Sequence, residues 1–144
     1  MTGEYPSEPV RVTSGVLTPF VAMFGLYIIA HGHYGPGGGF AGGVVLAVGA
    51  LLPRLALPER IAYGAVPAFA GALSMLVGVL AFLLFGLLPL LAGGAFLDYA
   101  HVGIGEVAAS RLRYLGILVV EVAVGLAVFG AMVLIFDVLA GRVR

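Results

Sequence analysis

Glu121 stands inside the last long apolar run of this 144-residue chain and is read as the one charge interrupting it. As helix, that run places the carboxyl roughly eight to ten residues from its start, or about 12 to 15 Å deep. A carboxylate at that depth costs several kcal/mol unless it is protonated, paired or hydrated, so it is read as functional by default. Two roles are open: a cation or proton relay, or a structural hydrogen-bonding role with the carboxyl permanently protonated. A backbone or hydroxyl group, water, an arginine near a chain terminus or a residue of another subunit would be its partner.

Two loops hold the remaining candidates. His31 and His33 are two residues apart, so on a continuous helix they would point about 200° away from each other and could not share a metal. A zinc-type site needs three or four ligands, and only Asp98, His101 and Glu106, in another loop, are left to complete one. The spacing favours imidazoles that hydrogen-bond loop carbonyls or helix ends, and no metal is expected. An intramembrane enzyme or metal transporter built on the two histidine-containing loops is the reading this disfavours. The Gly37-Gly38-Gly39 run is followed by no Walker lysine and preceded by no strand, so it does not read as a phosphate cradle. Asp98, His101 and Glu106 read most simply as a solvated loop, with a polar patch shared with the histidine loop as the alternative.

The elements that position these residues follow from composition. Hydrophobic residues make up 62% of the chain and charged ones 10%, against roughly 25% charged in soluble domains. A bilayer is therefore the expected solvent. Seven arginines balance seven acids, and there is no lysine, which leaves no basic surface for nucleic acid. Cysteine is absent, which removes disulfides and thiolate chemistry. The first ten residues lack a basic residue, so the first apolar segment is expected to stay in the mature protein.

About 20 apolar residues span a bilayer as helix, and four such segments are predicted, at about 13–30, 40–57, 59–91 and 111–139. The expected fold is all-α, a single integral membrane domain of four transmembrane helices. Six glycines and a proline from Gly35 to Gly43 cannot be ordinary helix interior, so the first two helices are separated there. Arg54 ends the second helix and is expected to snorkel into the headgroup region. The uncharged stretch from Ile61 to Leu97 would run about 55 Å as one helix, so a tilt or a break near Pro67 is expected. Arg11, Arg54, Arg60, Arg142 and Arg144 fall on one side and Arg111 and Arg113 on the other, which predicts cytoplasmic N and C termini. Small residues recur at Gly39, Gly43 and Ala47 and, every seven positions, at Gly116, Ala123 and Gly130. Both stripes are candidate helix contacts. Glu121 and Gly125 share the opposite face of the last helix, which would then be buried on two sides.

The order His31-Gly32-His33, then Pro36-Gly37-Gly38-Gly39-Phe40 and Gly42-Gly43, resembles the signature of the B subunit family of Mrp-type multisubunit Na+/H+ antiporters. The resemblance extends over nearly the whole chain. Tyr34 stands where an asparagine is usual in that family. The run from Gly116 to Gly125 is closer to versions from archaeal and hydrogenase-linked complexes. The resemblance implies a small integral subunit without cofactor, which assembles with large antiporter-like subunits and several small ones while the whole exchanges Na+ for H+. Transport chemistry would rest mainly on those partners, and the absence of inverted repeats agrees. The alternative is the homologous subunit of a membrane-bound hydrogenase or related respiratory complex. Glu121 is the ion-path candidate. His31, His33, Pro36, Gly37, Gly38, Gly39, Phe40, Asp98, His101 and Glu106 are candidates for shaping the loops or contacting other subunits.

Overall fold

A computed structural model describes residues 7–32, 34, 37–102 and 108–141. The described chain is helical: α1 Glu8–His31, α2 Gly39–Ala56, α3 Glu59–Ala65, α4 Ala68–Leu91, a short 3-10 turn at Tyr99–Val102, and α5 Ala109–Leu139. Four segments are long and apolar enough to cross a membrane: α1, α2, α3 with α4, and α5. Helix α1 starts earlier than composition suggested, because Pro9 suits a first turn, where its missing N–H is not needed. The third segment is divided at Val66, which is extended (φ −131°, ψ 95°) ahead of Pro67. Proline's ring disfavours the helical conformation in the residue before it.

The helices line up in the order α1, α2, α5, α4. Lipid supplies no hydrophobic push between helices, so close backbone approach has to hold such a row together. Each seam is built that way. A Cβ on Gly25 of α1 would stand 2.7 Å from the backbone nitrogen of Leu46 on α2, and one on Gly43 of α2 would stand 2.6 Å from the carbonyl oxygen of Gly125 on α5. On the other flank of α5, Gly130 lies against the backbone of Gly71 and Met75 on α4, and Gly78 against Ala123 and Ala127. Gly116 meets the ring of Tyr99. Helix α5 is thus enclosed on two sides, with Gly125 towards α2 and the Gly116, Ala123, Gly130 stripe towards the 3-10 turn and α4.

Gly39 and Gly43 climb α2 as Glu121 and Gly125 climb α5, so these two helices run parallel. That register sets the site: the start of α2 lies level with the middle of α5, and the end of α2 lies level with the end of α5.

Candidate functional site

Helix α1 ends at Gly32 and α2 begins after Gly38, which caps it. The two glycines press together so closely that a Cβ on Gly32 would strike the Gly38 backbone. Gly38 has φ +94°, a conformation that side chains disfavour. Glu121 reaches this junction from α5. Its Oε1 would stand 2.7 Å from a Cβ on Gly32 and 3.3 Å from one on Gly38, and a Cβ on Gly39 would strike its carbonyl oxygen. Glycine at 32, 38 and 39 therefore makes the space in which the half-buried Glu121 sits.

Two helix ends of opposite polarity, the C-cap of α1 and the N-cap of α2, meet at the carboxyl of Glu121. The first backbone N–H groups of a helix have no intrahelical partner and carry partial positive charge. No side-chain hydrogen bond caps α2, and the carboxyl of Glu121 lies against its capping residue. Gly32, Gly38 and Gly39 and the carboxyl of Glu121, far apart in the chain, thus form one site.

The other expected residues are distributed differently. His31 is exposed and belongs to an aromatic ladder: Phe24 and Tyr27 stack at 6.4 Å, Tyr27 and His31 at 4.4 Å, and Tyr34 continues the series to Tyr114 on α5 at 6.2 Å. A recess of about 520 Å³ opens beside it, lined by Phe24, Tyr27, His31, Tyr34 and Gly37 among others. Phe40 turns outward and is 67% exposed. Asp98 and His101 pair locally, Oδ2 to Nδ1, at 2.7 Å, and a Cβ on Gly94 would stand 2.6 Å from His101 Cβ. His33, Pro36 and Glu106 lie outside the described residues. Among the described residues no three His, Asp or Glu side chains converge.

A second polar cluster corrects two expectations. Arg54 does not snorkel outward, and Glu121 is not the one charge on the last helix. The Arg54 and Asp137 side chains are fully buried and form an ion pair, Nη1 to Oδ2, at 2.9 Å. Arg54 Nη2 donates to the carbonyl of Val66 at 3.0 Å, and the Tyr63 hydroxyl donates to Asp137 Oδ1 at 2.7 Å. The guanidinium carbon lies 4.6 Å from the centre of the Tyr63 ring. The cause is the parallel register of α2 and α5, which brings their last turns to one level. Each charge can then neutralise the other inside the protein, where neither alone could stay. Opposite charges at matching depth on helices ending on the same side were the signal available in the sequence.

Beyond the two clusters, Tyr99 in the 3-10 turn is 8% exposed, and burial pushes its phenol above the ordinary value. Its hydroxyl is enclosed without a hydrogen-bond partner among the described residues.

Comparison with known proteins adds the following. Residues 9–134 match the family described as "Domain related to MnhB subunit of Na+/H+ antiporter". A protein of Staphylococcus haemolyticus named "Putative antiporter subunit mnhB2" is 28% identical over 132 residues, covering 92% of this chain and 93% of that protein. One of the same name from Staphylococcus saprophyticus is 27% identical over the same shares.

Proposed function

Since the chain belongs to the MnhB-related family of Na+/H+ antiporter subunits, we propose that it acts as a small membrane subunit of a multisubunit Na+/H+ antiporter, with a role in assembly and with Glu121 on the ion path. One observation carries this reading: the carboxyl of Glu121 meets Gly32, the C-cap of α1, and Gly38, the N-cap of α2, at a junction that only glycines leave open. An acid between two helix ends is placed to exchange a proton or a cation, because partial charges of the backbone face it. Other antiporter subunits are the expected partners, since one chain with one such acid lacks a complete path.

A multi-pass position in the cell membrane is part of the same proposal, supported by the four helices long and apolar enough to cross a membrane. With Arg54 withdrawn to Asp137, Arg11, Arg60, Arg142 and Arg144 still outnumber Arg111 and Arg113, which supports a cytoplasmic position for both termini.

The test is Glu121→Gln in a host lacking its own copy, with Na+/H+ exchange followed in everted vesicles and the complex followed by native gel. Loss of exchange with the complex intact supports the ion-path role. Normal exchange excludes it, and loss of the complex makes the residue structural. Companion proteins identified by mass spectrometry decide between a free-standing antiporter and a redox-driven complex, since iron–sulfur subunits would accompany only the latter.

A further inference from the structure

His31 is exposed at the last residue of α1, and helix register places it well inside the bilayer. Gly32, the next residue, lies against the carboxyl of Glu121, and Ile29, two residues earlier, meets Gly125, one turn past Glu121. His31 and Glu121 therefore share a depth. Arg113 is exposed and charged, which marks the nearer headgroup level; it precedes Glu121 by eight residues, about 12 Å of helix. Helix α4 stays apolar over the same depth. Its Gly78 meets Ala123 and Ala127, and beyond it Leu84, Leu88 and Leu91 are exposed. The imidazole is thus an ionisable group about 12 Å within the hydrocarbon, where lipid has no hydrogen bond to offer it.

Ionisable side chains at such depth face either protein or a water-filled cavity. The recess of about 520 Å³ beside His31 decides between them, because its walls come from one side only: Phe24, Tyr27 and His31 of α1, Tyr34 and Gly37 after it, and Ala41 of α2. Phe24, Tyr27 and Tyr34 are exposed. An open groove holds no water column in the middle of a bilayer, so a second protein wall has to close it. Helix α1 is the end of the row, and the recorded side-chain contacts of His31 among the described residues are rings, Tyr27 at 4.4 Å and Tyr34 at 6.2 Å. The chain does not supply that wall itself.

We propose that this aromatic face receives a transmembrane helix of a companion subunit, which packs along Phe24 and Tyr27 and sets a hydrogen-bonding side chain against the imidazole of His31. The inference rests on the reading of the chain as an antiporter subunit, and adds which surface it turns to a partner and what that partner carries. Rings already stacked on one another lose little freedom when a helix is laid on them, and aromatic side chains are enriched where partners meet. A partner helix that was apolar throughout would strand the imidazole as lipid does. The polar side chain is therefore part of the fit.

The test uses the assembled complex, purified in mild detergent, with p-benzoylphenylalanine in place of Tyr27 or of Phe24. Irradiation should join both positions to one companion membrane protein, identified by mass spectrometry. His31→Phe keeps a ring in the ladder without its nitrogens, and should lower the cross-link yield by about 3- to 30-fold, the worth of one hydrogen bond between membrane helices. His31→Gln, which restores a donor and an acceptor, should recover part of the yield. Chain lacks cysteine, so Tyr27→Cys adds its only thiol; in the complex it should be shielded from a membrane-impermeant maleimide that labels Arg113→Cys. Companions present without cross-links at 24 and 27, ready labelling of Tyr27→Cys, or a yield unchanged in His31→Phe would each overturn the assignment. Absence of any companion protein would sink the subunit reading and this surface with it, whereas the first three results would sink the surface alone. Should position 27 not tolerate the photoreactive group, position 24 decides.

Discussion

Separating Arg54 from Asp137 should destabilise the chain more than almost any other side-chain change. Asp137→Leu leaves a guanidinium inside the protein with the Val66 carbonyl and the Tyr63 ring as its remaining recorded contacts. Its Nε–H already has no partner among the described residues. Tyr63 loses the acceptor for its hydroxyl. Breaking one side of a buried pair costs about 3 to 5 kcal/mol, because the surviving charge stays desolvated. Arg54→Met imposes a similar cost from the other side, through a buried carboxylate left with Tyr63 as its partner among the described residues. The double variant Arg54→Met/Asp137→Leu removes both charges and fills the space with side chains of comparable bulk, and such replacements are often neutral.

Unfolding free energy in mixed detergent micelles, measured for wild type, both single variants and the double variant, closes the cycle. The expected coupling is at least about 3 kcal/mol, with the double variant within about 1 kcal/mol of wild type. Single losses below about 1 kcal/mol would show the pair to be solvated. A double variant that loses the sum of the singles would show that the two residues act independently, and the buried-pair argument would fail.

Seam glycines should be separable from idle ones: Gly43→Ala, whose Cβ would stand 2.6 Å from the Gly125 carbonyl oxygen, should cost at least about 1 to 3 kcal/mol in the same unfolding assay. Gly15→Ala, with no heavy atom within 4 Å of the added Cβ, should be neutral or stabilise by up to about 1 kcal/mol. Tyr99→Phe removes an enclosed hydroxyl without a recorded partner and should be neutral or stabilise by about 1 kcal/mol in thermal scans. Because the folded phenol holds its proton more tightly than the unfolded one, Tyr99 contributes stability below its unfolded value of about 10 that is lost as pH rises through the folded value. That part of the alkaline loss should vanish in Tyr99→Phe, and an unchanged profile would contradict it.

What the sequence showed was local, and what it hid was register. Length and hydropathy announced the four crossings, because each apolar run is its own signal. The break ahead of Pro67 was legible because a proline constrains its neighbour wherever it occurs. Both small-residue stripes were visible, but not their partners. Gly39 and Gly43 meet Gly125, whereas Gly116, Ala123 and Gly130 serve the opposite flank. Arg54 looked like an interfacial residue because it ends a helix, and Asp137 went unremarked near the end of another. Only the parallel packing of α2 and α5 turns those ends into one buried pair. His31 drew notice as a possible ligand, and its surroundings are aromatic rings.

The same register gives α5 two acids in opposite circumstances. Glu121 and Asp137 are sixteen residues apart on one helix, about 24 Å along its axis. Asp137 is held by a guanidinium and a phenol, and replacing it would strand the buried charge of Arg54. Glu121 meets backbone at the end of α1 and the cap of α2, and a helix N-terminus contributes only about half an elementary charge. A residue on an ion path has to change charge repeatedly at modest cost, and a residue that fixes two helices must not. Of the two acids on α5, Asp137 is held in the ion pair that joins α2 to α5, and the ion-path role proposed for Glu121 stands or falls with Glu121→Gln.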